Sequence, residues 1–505
     1  MPAFIGSIDQ GTTSSRFLIF DERGTLIVQH QLEFPQHYPN PGWIEHDPAD
    51  IIESVEVCIK KAIEKFIKKG YSVNDIKAIG ITNQRETTLV WDKVTGKSLY
   101  NAIVWCDIRT HDLVHELNSK SPLGAEVLKE LCGLPITTYF SALKLKWLLD
   151  NDSKVKEAHD KGTLMFGNVD TWLVWNLTGG CNGGLHITDV TNASRTMFMD
   201  IKKLEWNEEL IKYFGVKSDC LPRICSSSEV YGQVKTIESI KGIPIAGILG
   251  DQQAALVGQK CFHHGETKNT YGTGCFMLFN TGTDIVISKK GLLTTVGYKF
   301  GNEPTVYALE GSIAVAGSAI KWVRDNLGII KEASEINDLA SKVKDTGGVY
   351  FVTAFSGLFA PYWRDDARGC IVGITQFTNK SHIARATLEA ACFQTKAILE
   401  AINSEFGFQL KSLKVDGGMT NSDLCMQIQA DILGIDVDRP AMRETTALGA
   451  AMAAGHAVGV WESLEGLKTV NTQGRMLFSS QITKEESEQR YNVWKKAVER
   501  SLNWA

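Results

Sequence analysis

The chain has 505 residues, of which 43% are hydrophobic and 22% charged, enough for roughly two to four globular domains. Its 53 basic and 58 acidic residues leave a formal charge of −5, and no dense basic block marks it for nucleic acid. The longest small-apolar run, 446–460, is too short and too glycine-rich to cross a membrane.

The start, MPAFIGSIDQG, lacks the basic and apolar regions of a secretory leader, and the final SLNWA is no address tag, so a cytoplasmic location is expected. Two apolar runs, Phe4–Ile8 and Arg16–Phe20, flank the small polar segment Asp9–Ser15. A turn at Asp21–Gly24 then leads to Thr25–Val28, giving a β-meander with a polar glycine tip. Apolar residues at three- and four-residue steps predict helices over 51–69 and 141–149, with strands at 76–82 and 88–91 between them. Eleven cysteines are scattered from Cys58 to Cys425 without CxxC spacing, and are read as buried thiols.

A related hairpin returns at 267–279, where Gly272-Thr273-Gly274 separates two strand-like runs. Two such hairpins half a chain apart predict two similar α/β domains, 1–254 and 255–505. Helical periodicity follows at 381–403 and 424–433, and 446–460 reads as a small-residue helix packed closely on its neighbours.

Three turns can carry chemistry. In DQGTTSS, Gly11 allows a tight turn whose amides and hydroxyls (Thr12, Thr13, Ser14) can donate to phosphate, while Asp9 suits Mg²⁺. In GILGDQQAALVG, Asp251 stands where a strand meets a helix, as an N-cap or as a carboxylate able to accept a proton. In VDGGMTNS, the flat Gly417-Gly418 pair admits a purine ring beside a helix N-terminus. Each also fits an ordinary turn, and neither a P-loop nor a dinucleotide fingerprint is present.

In this order the three turns resemble the two phosphate elements and the adenosine element of the actin/hexokinase/chaperone ATPase clan. Tyr139–Asn151 and Gly369–Ile374 with His382–Glu389 are similar to the two signatures of the FGGY carbohydrate kinases, and NQRETT, YNAIVW, GDQQ and NTYGTGCF point to their glycerol-phosphorylating branch. The resemblance implies two ribonuclease-H-like (actin-like) domains with a nucleotide cleft between them, using ATP and Mg²⁺ on glycerol, and a homodimer or homotetramer. It implies glycerol contacts from Arg85, Glu86, Tyr139, Asp251 and Gln252, an apolar wall of Trp105 and Phe276, and Asp251 as general base. Asp9 would hold the metal. Thr12, Thr13, Ser14, Arg16 and Thr273 would meet the phosphates, and Gly317, Lys321, Gly418 and Ser422 the nucleoside.

Two positions depart from the pattern: bacterial members usually carry Gln at 321 and Asn at 422, where this chain has Lys321 and Ser422, with Asn421 one step earlier. Residues 234–244 also lack the arginine-bearing glycine loop that binds fructose 1,6-bisphosphate in some members, so no such inhibition is expected. The alternatives are an FGGY kinase for a longer polyol or ketose, which aromatic closure by Trp105 and Phe276 disfavours, and an actin- or chaperone-like ATPase, which would need a partner-binding module.

Overall fold

The computed structural model describes residues 2–407 and 409–505. The first apolar run becomes β1 (Phe4–Gln10), a central strand buried at all seven positions, with Phe4 and Ile8 in one core and Ile5 in another. It runs antiparallel to β2 (Ser14–Asp21), which pairs with β3 (Leu26–Glu33), and parallel to β4 (Ile76–Asn83). With β5 (Ser228–Gln233) and β6 (Pro244–Gly250) the order is β5-β6-β4-β1-β2-β3.

The predicted helix over 51–69 is α1 (Pro48–Lys68), which starts earlier because Asp47 caps it, accepting from Ala49 N at 2.8 Å, and Pro48 fits the first turn. Its Ile51, Val55, Ile59, Ile63 and Phe66 recur at three- or four-residue steps and are buried with the first sheet. Each contributes about 1.5–3 kcal/mol. Between β4 and β5 the chain builds a lobe that includes α2 (His111–Ser119) and α3 (Ser141–Asn151), with its own core of Trp105, Tyr139, Phe140, Phe166 and Phe198.

After α4 (Asp251–Gly258) the pattern repeats. The second sheet contains β7 (Thr267–Tyr271), β8 (Cys275–Gly282), β9 (Leu293–Tyr298), β10 (Val306–Ile313), β11 (Ser412–Asp416), β12 (Asp436–Arg439) and β13 (Met476–Phe478), in the order β9-β10-β8-β7-β11-β12-β13. In each sheet three antiparallel strands (β1-β2-β3; β7-β8-β10) precede two strands that continue parallel to the first (β4, β6; β11, β12). The expected pair of similar ribonuclease-H-like units is therefore present. The helices α5 (Gly317–Asp325), α6 (Lys380–Phe406) and α7 (Asp423–Leu433) follow in the second half, and α6 and α7 line its core.

One element of the second half packs across to the first. Helix α8 (Thr445–Ala457) lies on α4, β4, β6 and β1, and shares a core with Leu278, Tyr298 and Ala308 of the second sheet. Glycines permit this approach: a Cβ on Gly449 would stand 1.8 Å from Ala254 O, one on Gly258 1.9 Å from Thr445 O, and one on Gly80 2.1 Å from Ala450 O.

All eleven cysteines are free thiols and most are buried, but Cys181 is exposed and Cys106 and Cys370 are half-buried, so the expectation of buried thiols fails at these three. Within 234–244 the chain forms a short turn with one 3₁₀ segment, Glu238–Ile240, before β6 begins at Pro244. Among the described residues no helix is long and apolar enough to cross a membrane.

Both main chains at the α4–α8 crossing are too rigid to absorb a methyl group. Gly449→Ala is expected to cost about 3 kcal/mol and to lower the thermal midpoint by several degrees, whereas Gly466→Ala, with no neighbour closer than 3.7 Å, should leave it unchanged. Equal midpoints for the two variants would refute the packing argument.

Candidate active site

Chemistry collects where the parallel strands end, as open α/β sheets generally arrange it. β1 ends in Asp9-Gln10, β4 runs into Arg85-Glu86, β6 into Asp251, and β11 ends in Asp416 before Gly417-Gly418. These ends, the hairpin tips at Gly11-Thr12 and Gly272–Gly274, and the segment entering α8 surround a cavity of about 490 Å³.

At one end a buried ring of charge fixes the side chains. Arg85 reaches Glu310 of β10 through both Nη atoms at 2.5 and 2.9 Å, and its Nε lies 3.2 Å from Asp251 Oδ1. Arg195 Nε donates to Glu86 Oε1 at 2.6 Å and its Nη2 to Glu310 Oε1 at 3.1 Å. Glu86 has φ 59°, a strained value for a residue with a side chain. Its carbonyl accepts from Ser141 Oγ and Thr88 Oγ1, which anchors the turn.

Burial works against the charge on Glu310, yet the Arg195 and Arg85 guanidiniums hold its carboxyl down at about 2. For Asp251, burial raises the carboxyl and Arg85 only partly offsets it. Gln252 donates to both Asp251 oxygens, from its amide at 2.8 Å and its Nε2 at 3.1 Å. Gln252 Oε1 in turn accepts from Lys268 Nζ at 2.6 Å, and burial pushes that lysine down to about 8.

Aromatic rings close this end. Trp105 and Phe276 meet edge to face with centroids 5.8 Å apart, and Tyr139 lies 5.6 Å from Trp105. Trp105 Nε1 donates to Thr12 Oγ1 at 2.9 Å, linking the wall to the first hairpin tip. A Cβ on Gly418 would meet nothing within 4 Å, so this residue presents bare backbone.

The structure brings Asp9, Thr12, Arg16, Arg85, Glu86, Trp105, Tyr139, Asp251, Gln252, Thr273, Phe276 and Gly418 to one cavity. Five predicted residues are absent from its lining. Thr13 is exposed, and Ser14 Oγ accepts from Gln31 Nε2 at 3.0 Å. Ser422 caps α7, accepting from Cys425 N at 2.9 Å, while Asn421 lines the cavity in its place. Gly317 opens α5 behind Gly272, and Lys321 is exposed on that helix. Arg16 is committed elsewhere than expected: its Nη atoms bind Asp9 at 2.6 Å and Glu444 at 2.5 Å.

Sequence reasoning missed Glu310, Arg195, Lys268, Arg443 and Glu444. Glu310 did carry a signal, being a charge inside a strand with an apolar neighbourhood, where burial requires a partner, whereas Lys268 sits among polar residues in Thr267–Tyr271. Arg443 carried none; it lines the cavity with its Nε buried and without a hydrogen-bond partner among the described residues.

Paired ribonuclease-H-like sheets closing on glycine turns, carboxylates and buried arginines define a two-domain kinase. Residues 4–258 match the model of the FGGY family of carbohydrate kinases, N-terminal domain, and residues 267–458 that of its C-terminal domain. The chain belongs to the FGGY family. It is 55% identical over 504 residues to the glycerol kinase of Pseudarthrobacter chlorophenolicus, covering 100% of this chain and 99% of that protein. It is likewise 55% identical to the glycerol kinase of Brucella anthropi, covering 100% of both. The crystal structure of Plasmodium falciparum glycerol kinase with ADP superposes with a TM-score of 0.89 at 42% identity, covering 99% of this chain and 98% of that chain.

Glu310→Gln removes the charge that two buried arginines share, and is expected to cost about 3–5 kcal/mol at neutral pH. Because Glu310 is held at about 2 against an ordinary 4.5, its contribution is full above pH 4.5 and is lost as pH falls towards 2. The wild-type advantage in thermal midpoint over this variant should therefore shrink on acidification through that window. A constant difference would contradict it.

Proposed function

We propose that the protein transfers the γ-phosphoryl group of Mg-ATP to glycerol, releasing sn-glycerol 3-phosphate and ADP. The observation that carries this reading is the small acceptor end of the cavity, where Arg85, Glu86, Asp251 and Gln252 offer polar contacts to hydroxyls inside a wall of Trp105, Tyr139 and Phe276. A three-carbon triol fills such a cage, with its CH groups on the rings and its hydroxyls on the charges. The names of the full-length relatives support the same substrate, and the ADP in the Plasmodium structure supports the nucleotide.

Asp251 is the base. An aspartate cannot hold an alcohol deprotonated, so it orients the hydroxyl and receives the proton late, as the bond from oxygen to phosphorus forms and the bond from phosphorus to the ADP oxygen breaks. Gln252 and Arg85 fix its two oxygens. Thr12 accepts from Trp105 through its oxygen and keeps its own hydrogen to donate to phosphate. Thr273 and the Gly11 and Gly274 turns line the same space. Arg443, with its free buried Nε, is a better phosphate contact than Arg16, which two carboxylates occupy. Gly418 and Asn421 receive the nucleoside.

The donor set fits a hard divalent cation: Asp9 and Glu444 share a single guanidinium, and burial raises Asp9 despite Arg16. Asp9 would hold Mg²⁺, whose chemistry there is to neutralise charge on the phosphates. The domains 1–254 and 255–505 would close on both ligands and exclude water.

ADP release from Mg-ATP, measured with glycerol, xylulose, gluconate or no acceptor, tests the assignment. Glycerol alone should stimulate strongly, and Asp251→Asn should lower kcat by about 10²–10⁴-fold. Stimulation by a longer sugar would overturn the acceptor, and acceptor-independent release would overturn the reaction. Fructose 1,6-bisphosphate should leave the glycerol-dependent rate unchanged.

A further inference from the structure

Outside the cavity lining, three potential ligand atoms converge on the surface. His111 and His115 stand four residues apart on α2, and so on one face of it. Their Nε2 atoms are 3.0 Å apart. Asp365, from the other half of the chain, places Oδ2 3.2 Å from His115 Nε2 and 3.7 Å from His111 Nε2.

We propose that His111, His115 and Asp365 form a Zn²⁺ site that ties α2 to the segment carrying Asp365. Three observations carry it. First, a tetrahedral zinc with ligands at about 2.0–2.1 Å has ligand-to-ligand edges of about 3.3–3.4 Å, and the three observed separations bracket that value. Second, His111 Nδ1 lies 3.3 Å from Asp112 Oδ1. A carboxylate on the far ring nitrogen is the usual support of a zinc-bound histidine, fixing its tautomer so that Nε2 presents a lone pair. Third, the cluster is poorly satisfied by protons alone. If Nδ1 of His111 carries the hydrogen, its Nε2 is an acceptor, and the hydrogen of His115 Nε2 must serve both that nitrogen and Asp365. One cation satisfies all three ligands, and two imidazoles with one carboxylate favour zinc over magnesium or calcium.

The site joins parts that sequence keeps apart. The segment that presents Asp365 also carries Phe359 and Trp363, which pack on the aromatic core of the lobe containing α2. Phe359 lies 5.9 Å from Tyr139, a cavity-lining residue. Zinc at the surface would therefore pin this segment over the aromatic wall. The side chains are 50%, 59% and 66% exposed, which leaves water or a further ligand free access to the remaining position.

The test is calorimetric titration of metal-free, full-length protein with Zn²⁺, comparing wild type, His115→Gln and Asp365→Asn. Wild type should take up one equivalent more than either variant, and zinc should raise the thermal midpoint of wild type alone. Uptake by thiols such as the exposed Cys181 is common to all three proteins and cancels in the comparison. Co²⁺ should give wild type, but not His115→Gln, the visible absorption of a low-coordinate nitrogen and oxygen site. Equal zinc stoichiometry in the three proteins, with affinities within about twofold, would overturn the proposal.

Discussion

Two arginines and two glutamates with almost no access to water set the geometry on which the cavity depends. Glu86, Arg195, Glu310 and Arg85 alternate in sign around a ring, closed by the 4.0 Å approach of Arg85 to Glu86. Taking such ions out of water costs several kcal/mol each, which only close pairing and further hydrogen bonds can offset. Ser312 on Glu310 and Gln253 on Arg85 supply some of those bonds. Because Glu310 belongs to the second sheet while Arg85 and Glu86 follow a strand of the first, the ring also fixes how the sheets meet. Its orientation of Arg85 is what leaves Nε facing Asp251.

A second constraint acts through shape. Helix α8 meets its neighbours backbone against backbone, at Gly449 and Gly258 where it crosses α4 and at Gly80 of β4, so these segments lie closer than any side chain would permit. Helix α8 then delivers Glu444, at its start, to Arg16 beside the first hairpin. Charge in one place and absence of bulk in another thus hold strand ends from both sheets around one space.

Much of this architecture is legible in the residues. The paired glycine hairpins announce the duplicated meander, and apolar spacing locates α1, α3, α6 and α7 to within a few positions. The strand-end motifs that hold Asp9, Arg85, Asp251 and Gly418 also converge as their resemblance implies. What the sequence hides is which way neighbouring side chains turn. Thr12 faces the cavity while Ser14, two positions on, bonds to β3. Asn421 faces it while Ser422 caps a helix, because the cap position needs an oxygen over the amide of Cys425. Arg16 has the charge expected of a phosphate ligand, but a carboxylate on either side takes both its arms. Apart from the adjacent Glu86, the partners of Arg85 lie over a hundred positions away, and no local pattern reveals them.

The indole of Trp105 has a place in two neighbourhoods at once. Its ring meets Phe276 in the aromatic wall of the cavity, and its single N–H is given to Thr12 Oγ1 in the first hairpin. A molecule that settles the ring also settles the direction in which the threonine hydroxyl can give its hydrogen. Two ligands that share such a device strengthen one another, and by the same factor whichever arrives first. Under the proposed reading, an acceptor seated against the indole would set the Thr12 hydroxyl before phosphate meets it.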